Sequence, residues 1–206
     1  SYVVHMVDAE ELERTVFPIG HLSKAEVRDH ARRLGLRTAE KPDSQDVCFI
    51  TSTGGRERFL GDRIPLRSAP VVDTEGRHLG EVPSVEMVTI GQRRGLGLPG
   101  GGPLRYVVDV VAEPEPVVVV GDGADLLLGS VDVESVTWVD ETVEGRVRAQ
   151  VSAHGPAQPA RSVVTDEPGV IRIEWEEPQR RVAPGQSVVL YDLDDRWVLG
   201  GGVARR

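Results

Sequence analysis

From residue 69 to its end the chain is a succession of short runs rich in Val, Ile, Tyr and Trp, each broken within a few residues by glycine, proline or aspartate. Pro70-Val-Val72, Val85-Glu-Met-Val-Thr-Ile90, Tyr106-Val-Val-Asp-Val-Val111, Val117-Val-Val-Val120, Val131 to Val136, Val143 to Val151, Ala160 to Val164, Val170 to Trp175, Ser187 to Tyr191 and Trp197 to Leu199 are expected strands. Asp73-Thr-Glu-Gly76, Gly121-Asp-Gly123, Glu167-Pro-Gly169 and Asp194-Asp195 are expected turns. Many short strands at this spacing predict two small β domains in series, each a barrel or a sandwich. Gly and Asp cluster between Gly121 and Gly129, where the domains are expected to meet, and Leu126-Leu-Leu128 there suggests one helical turn.

The first fifty residues read differently. Asp8-Ala-Glu-Glu11 offers a helix start, and Phe17-Pro18 with Gly20 ends that segment. A second helix is better signalled: Ser23 and Glu26 form a capping box, Leu22 and Val27 occupy staple positions, and Gly35 fits the left-handed residue past the end. Val27, Ala31 and Leu34 make its apolar stripe, while Arg28, His30, Arg32 and Arg33 make a face that is either solvated or able to meet phosphate.

Composition narrows the function classes. No apolar run approaches the ~20 residues of a membrane helix, and a single cysteine excludes an internal disulfide framework, which suits a reducing cytosol. Aromatics at 4% leave little for a base-stacking platform. A net charge of -9 is the wrong sign for a protein that lives by neutralising phosphates. Its distribution matters more: residues 51 to 105 hold eight Lys/Arg against six Asp/Glu, whereas residues 106 to 206 hold nine against eighteen. Any RNA should therefore touch the middle third.

Three groups of residues carry candidate chemistry. Cys48 closes the polar run Lys41-Pro42-Asp43-Ser44-Gln45-Asp46 and opens the apolar Phe49-Ile50; it is either a small buried hydrophobe or a thiolate in a positive field. Asp43 supports it, or holds the turn backbone as an Asx motif. Gly91-Gln92-Arg93-Arg94-Gly95-Leu96-Gly97 combines glycines that let a backbone approach a polyanion with two planar guanidiniums; the alternative is a glycine-rich hairpin with solvated arginines. Gly100-Gly-Gly102 and Gly200-Gly-Gly202 lack the Lys of a nucleotide loop and read as turns or a bulge. The histidines at 5, 21, 30, 78 and 154 show no ligand spacing, so no metal site is expected. The carboxylates of Glu174-Trp-Glu-Glu177 and Asp192 to Asp195 read as solvated edges.

The Asp43 to Ile50 run resembles the second cysteine motif of bacterial tRNA-specific 2-thiouridylases. The resemblance continues through Phe17-Pro-Ile-Gly20, Lys24-Ala-Glu-Val-Arg28, Leu34-Gly-Leu36, Thr89-Ile-Gly-Gln-Arg-Arg-Gly-Leu-Gly-Leu98, Tyr106-Val-Val-Asp109, Trp138-Val139, Pro184-Gly-Gln-Ser187 and Leu199-Gly-Gly-Gly202, in the family's order. It implies a mainly β fold with an N-terminal α remnant: residues 1–52 the end of a nucleotide-binding domain, 53–122 a central β domain, and 123–206 a β-barrel resembling domain 2 of translation factors. The family's Ser-Gly-Gly-x-Asp-Ser loop and its earlier nucleophilic cysteine do not occur in this sequence. The chain therefore resembles the C-terminal part of such an enzyme, and Ser1 reads as a cut inside a helix of the first domain.

The resemblance also implies a mechanism. ATP, with Mg, adenylates C2 oxygen of the wobble uridine in the complete enzyme; a persulfide on Cys48 delivers the sulfur. The earlier cysteine then releases it, leaving a disulfide between the two. The implied partners are the tRNA anticodon loop, a sulfur-relay protein or cysteine desulfurase, and the N-terminal ATP-binding domain, in a cytoplasmic enzyme. Gln92, Arg93, Arg94, His154, Gly155 and Gln186 are the expected tRNA contacts, although His154-Gly155 replaces a basic-aromatic pair common in the family. Thr51 to Leu60 reads as a cover that orders when tRNA arrives. Alone, the chain is expected to thiolate nothing. Two other classes remain open on the residues themselves: a non-catalytic RNA- or protein-binding barrel with a structural cysteine, and a one-cysteine redox sensor.

Overall fold

A computed structural model describes residues 2–42, 55–99 and 102–205. The chain divides into two compact units, Glu10–Ile64 and a second made of Ser1–Ala9 with Pro65–Arg206.

The first unit is helical. After α1 (Ala9–Glu13), α2 (Lys24–Arg33) starts where the sequence signals it: the Ser23 hydroxyl accepts from the Glu26 amide and the Glu26 carboxylate accepts from the Ser23 amide. It stops by a Schellman closure, with the Gly35 amide on the Arg32 carbonyl and the Leu36 amide on the Ala31 carbonyl, Gly35 lying at φ +64°. Part of its cationic face is used within the unit, since Arg28 donates to the carbonyls of Ala39 and Lys41 and Arg32 donates to Glu40 at 2.5 Å and to Asp29. Gly55–Gly61, which overlaps the end of the expected cover, forms a third helix, α3.

The second unit is the mainly β body. Its central sheet has the order β2-β1-β4-β3, built from β1 (Ala69–Asp73), β2 (His78–Val82), β3 (Tyr106–Val111) and β4 (Val117–Gly121). Only β1 and β4 run parallel. Alternate valines, Val71, Val82, Val107, Val118 and Val120, close over Leu96 and Val85 to make its core. The barrel follows: β5 (Leu127–Trp138), β6 (Gly145–Gln150), β7 (Gln158–Val164), β8 (Ile171–Arg180), β9 (Ser187–Tyr191) and β10 (Val198–Ala204) close in the order β10-β5-β8-β7-β6-β9. Ile171, Ile173 and Trp175 point inward from β8 while Arg172, Glu174 and Glu176 point out, the period of two that a half-solvated strand requires. Arg181 ties barrel to sheet, donating from its backbone to the Leu126 carbonyl and from its guanidinium to the Val108 carbonyl.

Four local expectations need correction. Val85–Met87 is a 3-10 turn and not a strand, because the Glu86 carboxylate is captured from the side by Arg67. His78–Val82 is a strand that the sequence, with Gly80 and Glu81 in its middle, did not announce. Leu127 and Leu128 extend β5 and do not continue a helical turn. Glu174 to Glu177 lie on a strand paired on both sides in a closed barrel, so they are outward-facing and not an edge. Gly200–Gly202 resolves to the bulge: it lies inside β10, where the register shifts.

Candidate functional site

The loop between β2 and β3 is held at its entry. Arg67 reaches Glu86 with its backbone amide at 3.0 Å and its Nε at 2.9 Å, and the Ser84 hydroxyl adds a third bond at 3.0 Å. Burial by itself would raise the Glu86 carboxyl, but these bonds outweigh it and draw the pKa down from 4.5 to about 2. Arg67 also holds Glu113 at 2.7 Å, so one guanidinium fastens the 3-10 turn to the segment just past the end of β3.

Beyond that anchor the loop is knitted by its own glutamine. Gly91 and Gln92 exchange backbone bonds with Val107, at 2.7 and 2.9 Å. The Gln92 side-chain oxygen accepts from the Thr89 amide at 3.0 Å and its nitrogen donates to the Arg94 carbonyl at 2.8 Å. Gly91, Gly95 and Gly97 take φ of +83°, +73° and +65°, conformations that L side chains resist. Leu96 drops into the core at 3% exposure. Gly97 has a second constraint: a Cβ there would fall 2.2 Å from the Glu81 carbonyl oxygen of β2. The glycines therefore serve the fit of loop to sheet, and what the loop displays is side chain: the guanidiniums of Arg93 and Arg94 are exposed and have no hydrogen-bond or ion-pair partner among the described residues.

The barrel contributes a second group. Gln150, the last residue of β6, pairs with Val189 in the middle of β9 while Arg148 pairs with Tyr191 at its end, so the β6–β7 turn and the approach to β9 share one end of the barrel. His154 is exposed on that turn. The Gly155 carbonyl accepts from Gln150 at 2.8 Å, and the Tyr191 hydroxyl fixes the other side of the Gln150 amide at 2.7 Å. Gln186 is exposed next to Gly185, itself at φ +86°, and its carbonyl accepts from the Ala204 amide at 2.7 Å. The structure thus gathers Gln92, Arg93 and Arg94 on one loop and His154, Gly155 and Gln186 at one barrel end. Cys48 and Asp43 lie outside the described residues, as do Thr51 to Gly54 and the pair Gly100-Gly101.

No group of three or more His, Cys, Asp or Glu suited to a metal ion occurs among the described residues. The 91–97 loop does not fit ATP either: it has no Lys, it leads toward a strand and not a helix, and the Gln92 amide is already bonded across it. No described helix is long and apolar enough to cross a membrane. Sequence reasoning missed the Arg67–Glu86 anchor, because the partners are nineteen residues apart and only the fold brings them together.

Three family models match the chain in succession: the tRNA methyl transferase HUP domain over residues 1–52, the tRNA methyl transferase PRC-barrel domain over 57–122, and the aminomethyltransferase β-barrel domain over 129–204. Among curated proteins the chain is similar to tRNA-specific 2-thiouridylases MnmA. That of Symbiobacterium thermophilum is 39% identical over 100% of this chain and 53% of its own length. That of Herpetosiphon aurantiacus is 41% identical over 98% and 56%, and that of Mycolicibacterium vanbaalenii 45% identical over 97% and 57%. The chain spans about half the length of the curated relatives it matches.

Proposed function

This chain belongs to the tRNA-specific 2-thiouridylase family, and from that membership we propose that it supplies the tRNA grip and the sulfur-bearing cysteine of a wobble-uridine thiolase. The observation that carries the reading is the extent of the match: relatives of that one name align with 94–100% of the chain, and three domain models match it in succession. On this reading residues 1–52 complete a nucleotide-binding domain, 53–122 form the central tRNA-facing domain and 123–206 the supporting barrel.

Cys48 carries the sulfur as a persulfide, loaded by a sulfur-relay protein or a cysteine desulfurase, and Asp43 shapes its turn. The terminal sulfur attacks C2 of the uridine and the activated C2 oxygen leaves. A second thiolate then attacks Cys48 Sγ, the sulfur–sulfur bond breaks, and sulfur stays on the base while a disulfide joins the two cysteines. With one cysteine in the sequence, that second thiol must come from outside this chain, as must the ATP site. Alone, the chain neither hydrolyses ATP nor thiolates RNA. Arg93 and Arg94 give phosphate two planar, unpaired donors, Gln92 holds their loop in shape, and His154, Gly155 and Gln186 form a more weakly charged contact at the barrel end. An anticodon loop suits such a surface, because its bases can be turned outward to reach a cysteine.

The test uses the single thiol. Alkylation of Cys48 in the folded chain at neutral pH, followed by mass spectrometry, should proceed readily and slow at least several-fold when tRNA is added. A thiol masked in the free chain, or an alkylation rate indifferent to saturating tRNA, contradicts the reading and favours a binding module with a structural cysteine.

A further inference from the structure

We infer that the groove bounded by β2, the 91–98 loop and residues 102–105 is a subsite for one nucleotide of an RNA strand, with Arg93 and Arg105 on the phosphate and Leu79 and Leu98 beneath the base. The inference rests on the tRNA reading above and adds residues, Arg105 and His78, that the reading did not contain.

The groove holds about 790 Å³, within the roughly 300–1,000 Å³ of ordinary ligand clefts. Its floor is fixed from below, because Leu79 and Leu98 pack onto the sheet core. Its two walls are fixed to each other: a Cβ at Gly80 would meet the Gly97 carbonyl oxygen at 2.9 Å, and one at Gly97 would meet the Glu81 carbonyl oxygen at 2.2 Å, so loop and strand touch backbone to backbone. The side of the groove made by β2 and the loop is therefore formed before any ligand arrives, which lowers the ordering cost of binding there.

Its chemistry selects the ligand. Arg93, Arg105 and His78 line it together with leucines and prolines, and among the described residues no carboxylate does. Arg93 and Arg105 have no ion-pair partner among the described residues, and Leu104 stands 63% exposed at the rim. Cations over an apolar floor fit a residue that carries both a phosphate and a flat apolar face, which every nucleotide of a single strand does. An acidic peptide offers the charge without the face. Residues 65 to 105, the part of the middle third that lies in the same unit as the groove, hold five Arg against four Asp/Glu in a chain that is otherwise acidic, which favours a polyanion there.

The experiment titrates the 206-residue chain with unmodified tRNA from 50 to 200 mM salt, and compares wild type with R105A, R93A, R94A and, as a charge control on the barrel, R161A. R105A and R93A should each flatten the dependence of log K on log salt by about 0.7–1, and a further variant, H78A, should weaken binding at a nearly constant slope. R161A should leave both affinity and slope unchanged. Melting curves establish that each variant is folded. On unmutated chain, ultraviolet cross-linking to tRNA should mark peptides containing Leu98 or Leu104. If R105A behaves like R161A while R94A still weakens binding, the groove is idle and only the wider reading survives. If wild type does not bind tRNA, both fail. Equal competition by polyglutamate of matched charge would reassign the groove to an acidic protein and overturn the proposal.

Discussion

The central domain and the barrel treat their arginines in opposite ways. In the barrel Arg146 faces Glu176, Arg172 faces Asp132 with two bonds, Arg196 faces Asp194 and Arg205 faces Glu167 and Glu134, while Arg148 turns to the Ala157 carbonyl; among the described residues Arg161 and Arg180 are the exposed exceptions. In the central domain Arg67 and Arg77 are tied to carboxylates, yet Arg93, Arg94 and Arg105, all bordering or lying near one groove, are tied to none among the described residues. The contrast teaches that net charge is a poor guide to where a polyanion is met. A chain of -9 can still present a small surface whose cations are left free by the fold, while its acidic barrel neutralises most of its own.

The comparison breaks most severely at the glycines that hold loop against sheet. G97A adds a Cβ where the Glu81 carbonyl oxygen stands at 2.2 Å and forces a residue at φ +65°; it should cost about 3 kcal/mol and loosen the display of Arg93 and Arg94. Hydrogen exchange should rise at Leu96, Gly97 and β2 more than in the barrel. Equal protection in G97A and wild type would mean the loop is not seated as described.

Next in size is the anchor below that loop. E86Q removes a carboxylate that accepts three bonds and should cost about 2 kcal/mol in denaturant unfolding. The pH dependence has a definite sign. A carboxyl held at about 2 in the folded chain and at its usual 4.5 when unfolded stabilises fully above 4.5, and that stability is lost as pH falls from there through about 2. Wild type should weaken over this window more steeply than E86Q; parallel acid limbs would place the charge elsewhere.

The smallest effect sharpens the barrel side. D132N breaks the pair with Arg172, half of whose side-chain surface is open to solvent. It should lower stability by well under about 1 kcal/mol and leave the salt dependence of tRNA binding unchanged, since an Arg freed on the barrel lies away from the groove. A steeper salt dependence in D132N would show that the barrel also meets phosphate.

What the sequence disclosed follows from which signals are local. Tyr106–Val111 and Ser187–Tyr191 are strands at the bounds expected, because β-branched runs flanked by turn residues carry their own instruction. The cap at Ser23 and the stop at Gly35 were equally readable, being made by residues a turn apart. Val85–Met87 was not: its alternation suggests a strand, and only Arg67, arriving from before β1, decides otherwise. Nor was β2, whose Gly80 looks like a breaker until Gly97 is seen against it. The loop arginines were legible as candidates from charge and glycine alone, but the inward turn of Gln92 and the groove that joins Arg93 to Arg105 and His78 depend on packing no motif records.

The claim that the central domain, and not the barrel, holds the phosphates of tRNA is tested most directly by the R93A/R94A double variant in a salt titration against wild type. The slope of log K against log salt should fall in magnitude by about 1.5–2, one increment for each guanidinium withdrawn. A double variant that keeps the wild-type slope, folded and at equal protein concentration, would contradict it.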